Sequence, residues 1–317
     1  MPSRFPDFRV LVPHPLPAGG LARLKDAFDA VTLWDAPDKA AALRAAASSV
    51  RGIASTGAQA VDGAFLDQFP KLEIVANFGV GYDHIDRAAA RARSVVVTNT
   101  PGVLVEEVAD AALGLLLGAV RQLPQADAFV RRGDWLKRGF PLSASLRGRI
   151  LGVLGLGDIG HAIARRAEAF GLKIVYHNRR RRDDVSYGYA DSPLALAQAC
   201  DLLVVAAPGG PQTRHIVDAA VLEALGPQGV LVNIARGSLV DTAALIAALQ
   251  QGKILTAALD VFETEPDVPE ALRALPQVVL APHVGSGSVA TREAMADLVV
   301  DNLTLWASGA GAVTPLT

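Results

Sequence analysis

Residues 149–170 read RILGVLGLGDIGHAIARRAEAF: an apolar run, three closely spaced glycines, then a helical pattern rich in small residues. The spacing Gly155-x-Gly157-x-x-Gly160 falls between the strand-like run Arg149 to Leu154 and that helix. Gly155 permits a tight turn, Gly157 lets backbone amides approach a pyrophosphate, and Gly160 lets the helix lie close to the strand. Asp158 and Ile159 open the helix, whose N-terminus carries partial positive charge. Strand, turn and helix together predict a dinucleotide site.

In an NAD site, an acidic residue about 20 positions further on would bond the adenosine ribose. Here the strand Lys173 to His177 runs into Asn178-Arg179-Arg180-Arg181-Arg182. A carboxylate would repel the 2′-phosphate of NADPH, whereas guanidinium groups grip it through charged hydrogen bonds worth about 1.5–3 kcal/mol each. Asn178, Arg179 and Arg180 are therefore expected at the adenosine end, with NADPH preferred and NADH still admitted. Arg181 and Arg182 are read as a solvated loop balanced by Asp183 and Asp184.

Outward from this unit, β-rich stretches alternate with Ala-rich helical ones in both directions. Before it lie Arg9 to Val12, Gly20 to Ala30, Val31 to Trp34, Asp38 to Ser48, Gly52 to Ser55, Leu72 to Asn77, Ile85 to Arg93 and Val95 to Thr98. After it, strands are expected at Lys173 to His177, Leu202 to Ala206, Val230 to Asn233, Thr256 to Asp260 and Val278 to Leu280. Such alternation describes α/β architecture with parallel sheets flanked by helices. The turn Asn99-Thr100-Pro101-Gly102 and a long helical segment, Val103 to Arg131, break the rhythm and suggest a bridge between domains or subunits. The tail Val289 to Trp306 reads as an amphipathic helix that packs back on the first domain.

The chain has 317 residues, 51% of them hydrophobic, enough for two compact units. With 30 basic and 32 acidic residues, its net charge of -2 offers no field for nucleic acid or an anionic membrane. The longest apolar run, Ala111 to Val120, is about half the length a bilayer requires. One cysteine, Cys200, and a start without a signal-peptide pattern imply a reducing cytoplasm. A small-molecule function without a metal is expected.

Three stretches at or just past strand ends carry candidate chemistry: Asn233-Ile234-Ala235-Arg236-Gly237, Asp260-Val261-Phe262-Glu263-Thr264-Glu265, and Pro282-His283-Val284-Gly285-Ser286. Open α/β sheets place their ligands there. Reduction of a 2-oxo acid needs a cation for the carboxylate, an acid for the carbonyl oxygen, and a partner to hold that acid. Arg236, His283 and Glu265 supply these, His283 because imidazole exchanges protons near neutrality and a carboxylate favours its charged form. Any one of them alone is an ordinary surface or structural residue.

With GLGDIG from Gly155, NIARGSLVD from Asn233, ALDVFETEP from Ala258 and PHVGS from Pro282, the chain resembles the D-isomer-specific 2-hydroxyacid dehydrogenases over nearly its whole length, close to the hydroxypyruvate and glyoxylate reductases. The resemblance implies an NAD(P)-dependent dehydrogenase acting as a 2-oxo acid reductase, with Arg236, Glu265 and His283 catalytic and Asp260 bonding the nicotinamide carboxamide. It implies further cofactor contacts at Ala207, Pro208, Thr213, Ile234, Ala235 and Gly285, and substrate contacts at Val80, Gly81, Arg236 and His283. A Rossmann-type nucleotide domain, 100–286, would be inserted into a flavodoxin-like substrate domain, 1–99 with 287–317. A homodimer through the helix 103–131 is implied as well. Trp135 could reach the other subunit's site, although a packed core indole is the commoner fate. Val105 departs from relatives that carry Ser or Thr near the nicotinamide. Hydroxypyruvate, glyoxylate, 2-ketogluconate and arylpyruvates stay open as substrates, because pocket size depends on residues such as Ser55, Thr56, Trp135 and Phe140. The rival of another class is a dinucleotide-sensing corepressor scaffold without catalysis, against which the complete Arg, Glu and His set argues.

Overall fold

A computed structural model describes residues 3–316. The strands are β1 Phe5–Val12, β2 Phe28–Thr32, β3 Val50–Thr56, β4 Ile74–Phe78, β5 Val96–Thr98, β6 Ile150–Leu154, β7 Lys173–His177, β8 Gly188–Tyr189, β9 Leu202–Val205, β10 Val230–Asn233, β11 Thr256–Leu259 and β12 Val279–Leu280. They form two sheets, each built from parallel pairs. The chain divides into two compact units, one running to Leu104 and resuming at Ser288, the other Val105–Gly287.

The first unit's sheet has the order β2-β1-β3-β4-β5, the flavodoxin-like arrangement. Its strands are apolar on both faces because helices cover both. One face packs Phe65, Leu66 and Phe69, the other Leu24, Val299, Val300 and Leu303, each large side chain worth about 1.5–3 kcal/mol of burial. The last three belong to the C-terminal helix Val289–Ala307, which packs on the helix Ala18–Ala27 and on β4. Its buried face runs Thr291, Met295, Val299 and Leu303, one residue per turn. Glu293 accepts the amides of Gly19 and Gly20 at 3.3 and 3.1 Å, placing a carboxylate on a helix N-terminus.

In the second unit the order is β12-β11-β10-β9-β6-β7-β8. Counted from β6 this is the Rossmann sequence 3-2-1-4-5-6 with a seventh strand beyond it, so the direction of winding reverses between β6 and β9. A large core of Leu, Val, Ile and Ala fills one side, including Leu196, Leu203, Leu231 and Leu245. The buried Cys200, its thiol pushed up to about 12 by burial, belongs to this core and is inert.

The structure corrects several boundaries. The helix expected over Gly20 to Ala30 ends at Ala27, and β2 starts at Phe28, whose buried ring stacks on Phe5 at 5.5 Å. A strand begun at Val31 would lose that pairing. The long helix expected over 103–131 is two helices, Val105–Arg121 and Leu123–Arg131. Gln122 stands between them at φ 53°, and Pro124 lies in the first turn of the second. Proline there lacks the amide a continuous helix would use. The two-residue β8 was not anticipated.

Candidate active site

The glycine turn follows β6 at the reversal point. Gly155, at φ +99°, lies so close to the loop after β9 that an added Cβ would sit 2.5 Å from the Ala207 amide nitrogen. A Cβ on Gly160 would lie 2.2 Å from the Gly155 carbonyl oxygen, whereas one on Gly157 would enter open space. Gly157 caps the helix Asp158–Ala169, and no side chain caps that end. The amides of Asp158, Ile159 and Gly160 are thus left for an anion.

Asn178 has a task the sequence did not reveal. Its Oδ1 accepts the Leu156 amide at 2.6 Å, and its Nδ2 donates to the Leu156 carbonyl at 3.3 Å, bracing the glycine turn. One lone pair and one N–H remain for a ligand. Arg179 donates to Gln212 at 3.4 Å and stays exposed, as does Arg180. Arg182 departs from the solvated reading: it pairs with Asp184 but also donates to the Leu156 carbonyl at 3.1 Å, while its backbone is held by the buried Tyr176 hydroxyl. That pairing holds Asp184 down at about 2. Arg181 lies over the Tyr189 ring. Across the reversal point, the Thr213 hydroxyl donates to the Pro208 carbonyl at 2.8 Å and closes the loop begun at Ala207.

The ends of β10, β11 and β12 bring the candidate groups together. Asn233, buried at the end of β10, donates to the Arg236 carbonyl at 2.9 Å and accepts the Ala235 amide at 3.1 Å. This bracket shapes the Ile234-Ala235-Arg236 turn. Beyond β11, Glu265 folds back so that Oε1 accepts the Phe262 amide at 2.9 Å and Oε2 meets His283 Nδ1 at 2.7 Å. Burial pushes the Glu265 carboxyl up, but hydrogen bonds from His283 and Phe262, with the charges of His283 and Arg236, outweigh it and hold the group below its ordinary value.

His283 adopts φ 54°, a left-handed conformation that costs a non-glycine residue about 1–3 kcal/mol unless neighbours impose it. Asp260 imposes it. Its carbonyl accepts the His283 amide at 2.8 Å, and its carboxylate oxygens accept the Val284 and Gly285 amides at 2.7 Å each. Asp260 is only 2% exposed, and burial raises its carboxyl despite those two bonds. It was expected to bond the nicotinamide; the structure gives it the further job of fixing the His283 loop.

The first unit contains its own candidate anion cradle. Asn77 donates to the carbonyls of Gly79 and Gly81, both at 3.0 Å, and Asn99 to that of Val80 at 2.9 Å. With these carbonyls held, no acceptor among the described residues takes the amides of Val80 and Gly81. Sequence reasoning named the amides and missed both asparagines. Their signal was an amide side chain at the end of an apolar strand, Asn77 within β4 and Asn99 directly after β5, read only as strand and turn.

Trp135 is not the core indole expected: it is 69% exposed in a short helical turn, Asp134–Leu136, beside an almost fully exposed Leu136. Val105 opens the helix Val105–Arg121, which packs on the helix Asp158–Ala169 and is tied to it by Arg166 with Asp110 and Glu106. Among the described residues, no helix is long and apolar enough to cross a membrane.

Comparison with known proteins assigns the chain. Residues 113–285 match the family model described as D-isomer specific 2-hydroxyacid dehydrogenase, NAD binding domain. The chain is 47% identical to glyoxylate/hydroxypyruvate reductase A of Arabidopsis thaliana over 293 residues, 92% of this chain and 94% of that one. It is 46% identical to the hydroxyphenylpyruvate reductase of Plectranthus scutellarioides, covering 89% and 90%. Among solved structures, the NADPH-dependent glyoxylate/hydroxypyruvate reductase of Sinorhizobium meliloti, in complex with NADP and malonate, superposes with a TM-score of 0.93 at 52% identity, covering 98% of this chain and 97% of that one. The protein belongs to the D-isomer-specific 2-hydroxyacid dehydrogenase family and is an NAD(P)-dependent oxidoreductase.

Proposed function

We propose that this enzyme reduces small 2-oxo acids of the glyoxylate and hydroxypyruvate type to D-2-hydroxy acids, preferring NADPH. The observation that carries this reading is the 2.7 Å hydrogen bond between His283 Nδ1 and Glu265 Oε2, with Arg236 close enough for its charge to act on the same carboxylate. Bound NADPH supplies the hydride. Because Nδ1–H is given to Glu265, Nε2 is the ring atom that carries the transferable proton. His283 gives that proton to the carbonyl oxygen and is left as the neutral Nδ1–H tautomer, still held by Glu265. Arg236 binds the substrate and stabilises the oxygen as it gains negative charge. Val80 and Gly81 offer their amides to the substrate carboxylate. Gly155, Gly157 and Gly160, with the amides of Asp158 and Ile159, seat the pyrophosphate, and Asn178, Arg179 and Arg180 face the 2′-phosphate. Ala207, Pro208, Thr213, Ile234, Ala235, Asp260 and Gly285 complete the cofactor contacts. In this assignment residues 100–286 form the nucleotide domain, and 1–99 with 287–317 the substrate domain.

A homodimer through the helices Val105–Arg121 and Leu123–Arg131 accounts for the exposed Leu123, Val130, Trp135, Leu136 and Leu142, and a single buried cysteine suits the cytoplasm. The test is a panel of glyoxylate, hydroxypyruvate, 2-ketogluconate and 4-hydroxyphenylpyruvate with each cofactor. Turnover of the two small acids, with kcat/KM about tenfold or more higher for NADPH, is expected. Turnover of the aryl acid alone would move the assignment toward the Plectranthus relative, and no turnover with any acid would overturn it.

A further inference from the structure

Glu265 has a neighbour two residues earlier that the proposed chemistry leaves unused. Glu263 Oε1 lies 2.7 Å from His215 Nε2 and 3.4 Å from Arg214, and Oε2 accepts the Thr242 amide at 3.3 Å. Burial pushes this carboxyl up, yet the bonds from His215 and Thr242 outweigh it and hold it below its ordinary value. His215 itself stands at φ 51°, left-handed like His283, and its amide donates to the Ser238 carbonyl at 2.8 Å. His215 therefore joins three loops: it sits on the one closed by Thr213, its amide holds the turn after Arg236, and its imidazole meets the loop that ends in Glu265.

That junction matters because the Glu265 loop borders open space. A cavity of about 330 Å³ lies behind it, bordered by Phe262, Glu263, Leu245, Leu259 and Leu272. Phe262 packs on the core there, but the cavity leaves that packing incomplete, so polar anchors add to the loop's definition. Gly237, which borders the same cavity, touches the loop so closely that an added Cβ would fall 1.8 Å from the Phe262 carbonyl carbon. The Phe262 amide in turn holds Glu265 Oε1. A shift at Glu263 is thus passed to Phe262, to the Glu265 carboxylate, and to its 2.7 Å contact with His283.

We propose that the His215–Glu263 pair is a positioning pair that fixes the Glu265 carboxylate against His283 and registers both to the Arg236 turn. This rests on the catalytic assignment of Glu265 and His283 above. The charged groups facing the pair are Arg214 and Asp241, the latter 3.9 Å from His215 Nδ1; those facing the Glu265–His283 contact are Asp260 and Arg236.

The test is a double-mutant cycle on the full-length enzyme, assayed with glyoxylate and NADPH. His215→Asn is the informative variant, since asparagine tolerates the left-handed backbone while its shorter side chain gives up the contact. Misplacing a catalytic group by about 1 Å costs on the order of a hundredfold, so a kcat loss of about 10- to 100-fold is expected, with NADPH affinity unchanged. The high-pH fall in kcat should move to lower pH, as in Glu265→Gln, because both variants deprive the imidazolium of its carboxylate. In the Glu265→Gln background His215→Asn should cost nothing more, the mark of residues acting through one another. Glu263→Gln, which still offers His215 an acceptor, should keep most of the activity. Multiplicative losses with an unmoved pH profile would overturn the positioning role. A Glu265→Gln enzyme with unchanged kcat and pH profile would instead bring down the catalytic assignment itself, and the positioning role with it.

Discussion

The glycine turn at residues 155–160 and the loops bearing Arg236, Glu265 and His283 all follow strands of one sheet, yet they are made rigid in opposite ways. At the turn, stiffness comes from atoms that are missing: Gly155 and Gly160 let backbone meet backbone, and Gly157 leaves space in front of the helix. At the loops bearing Arg236, Glu265 and His283 it comes from side chains that seize main-chain groups: Asn233 brackets 235–236, Asp260 takes two amides after His283, and Glu265 takes the Phe262 amide. Extra volume should therefore damage the first region, and a lost hydrogen-bonding group the second.

The sharpest break in that contrast is Asp260→Ala. It strands the buried Gly285 amide and releases the Val284 amide, each worth about 1–3 kcal/mol when left unsatisfied, and removes the support for His283 at φ 54°. Turnover should fall by on the order of a hundredfold and the melting temperature should drop; thermal melts and steady-state kinetics report both. Gly157→Ala should do the reverse. Its Cβ meets no protein atom, so the apo enzyme should melt as the parent does, while NADPH affinity should fall by about tenfold or more if the pyrophosphate approaches there as proposed. Parent-like affinity in a nucleotide titration would remove the turn from the site.

A smaller effect is expected at the adenosine end. In Asn178→Asp a carboxylate replaces the amide, so it still accepts the Leu156 amide but now faces the Leu156 carbonyl and, in the proposed assignment, the 2′-phosphate. The ratio of kcat/KM for NADPH over NADH should fall about tenfold, and an unchanged ratio would release the residue from cofactor selection. The smallest effect concerns acid. Glu265 is held below its ordinary value, so its pairing with His283 is complete above the ordinary carboxylate range and is lost only as the pH falls through the lowered value. Turnover limited by this pair should stay level through the ordinary range, and a decline already inside it would contradict the pairing.

The same contrast explains what could be read from the sequence. A turn that works by omission writes itself as glycines at fixed spacing, and Arg236, Glu265 and His283 each sit in a short motif at a strand end. Both parallel sheets followed from alternating apolar and Ala-rich segments. The clamps did not. The resemblance implied a cofactor contact for Asp260, but nothing local says that its carboxylate also turns toward amides 24 and 25 residues on. Asn77, Asn99, His215 and Glu263 were passed over for the same reason, since a polar residue after a strand does not announce which backbone it will hold. The helix break at Gln122 was masked by an apolar pattern continuing on both sides of Pro124.

The most direct measurement is kcat of His283→Ala with glyoxylate, taken beside its dissociation constant for NADPH. Positioned proton transfer contributes on the order of 10²- to 10⁴-fold, so turnover should fall by that factor while the cofactor binds as before. Turnover within a few-fold of the parent enzyme would mean that the imidazole held by Glu265 and Asp260 is not the acid of this reaction.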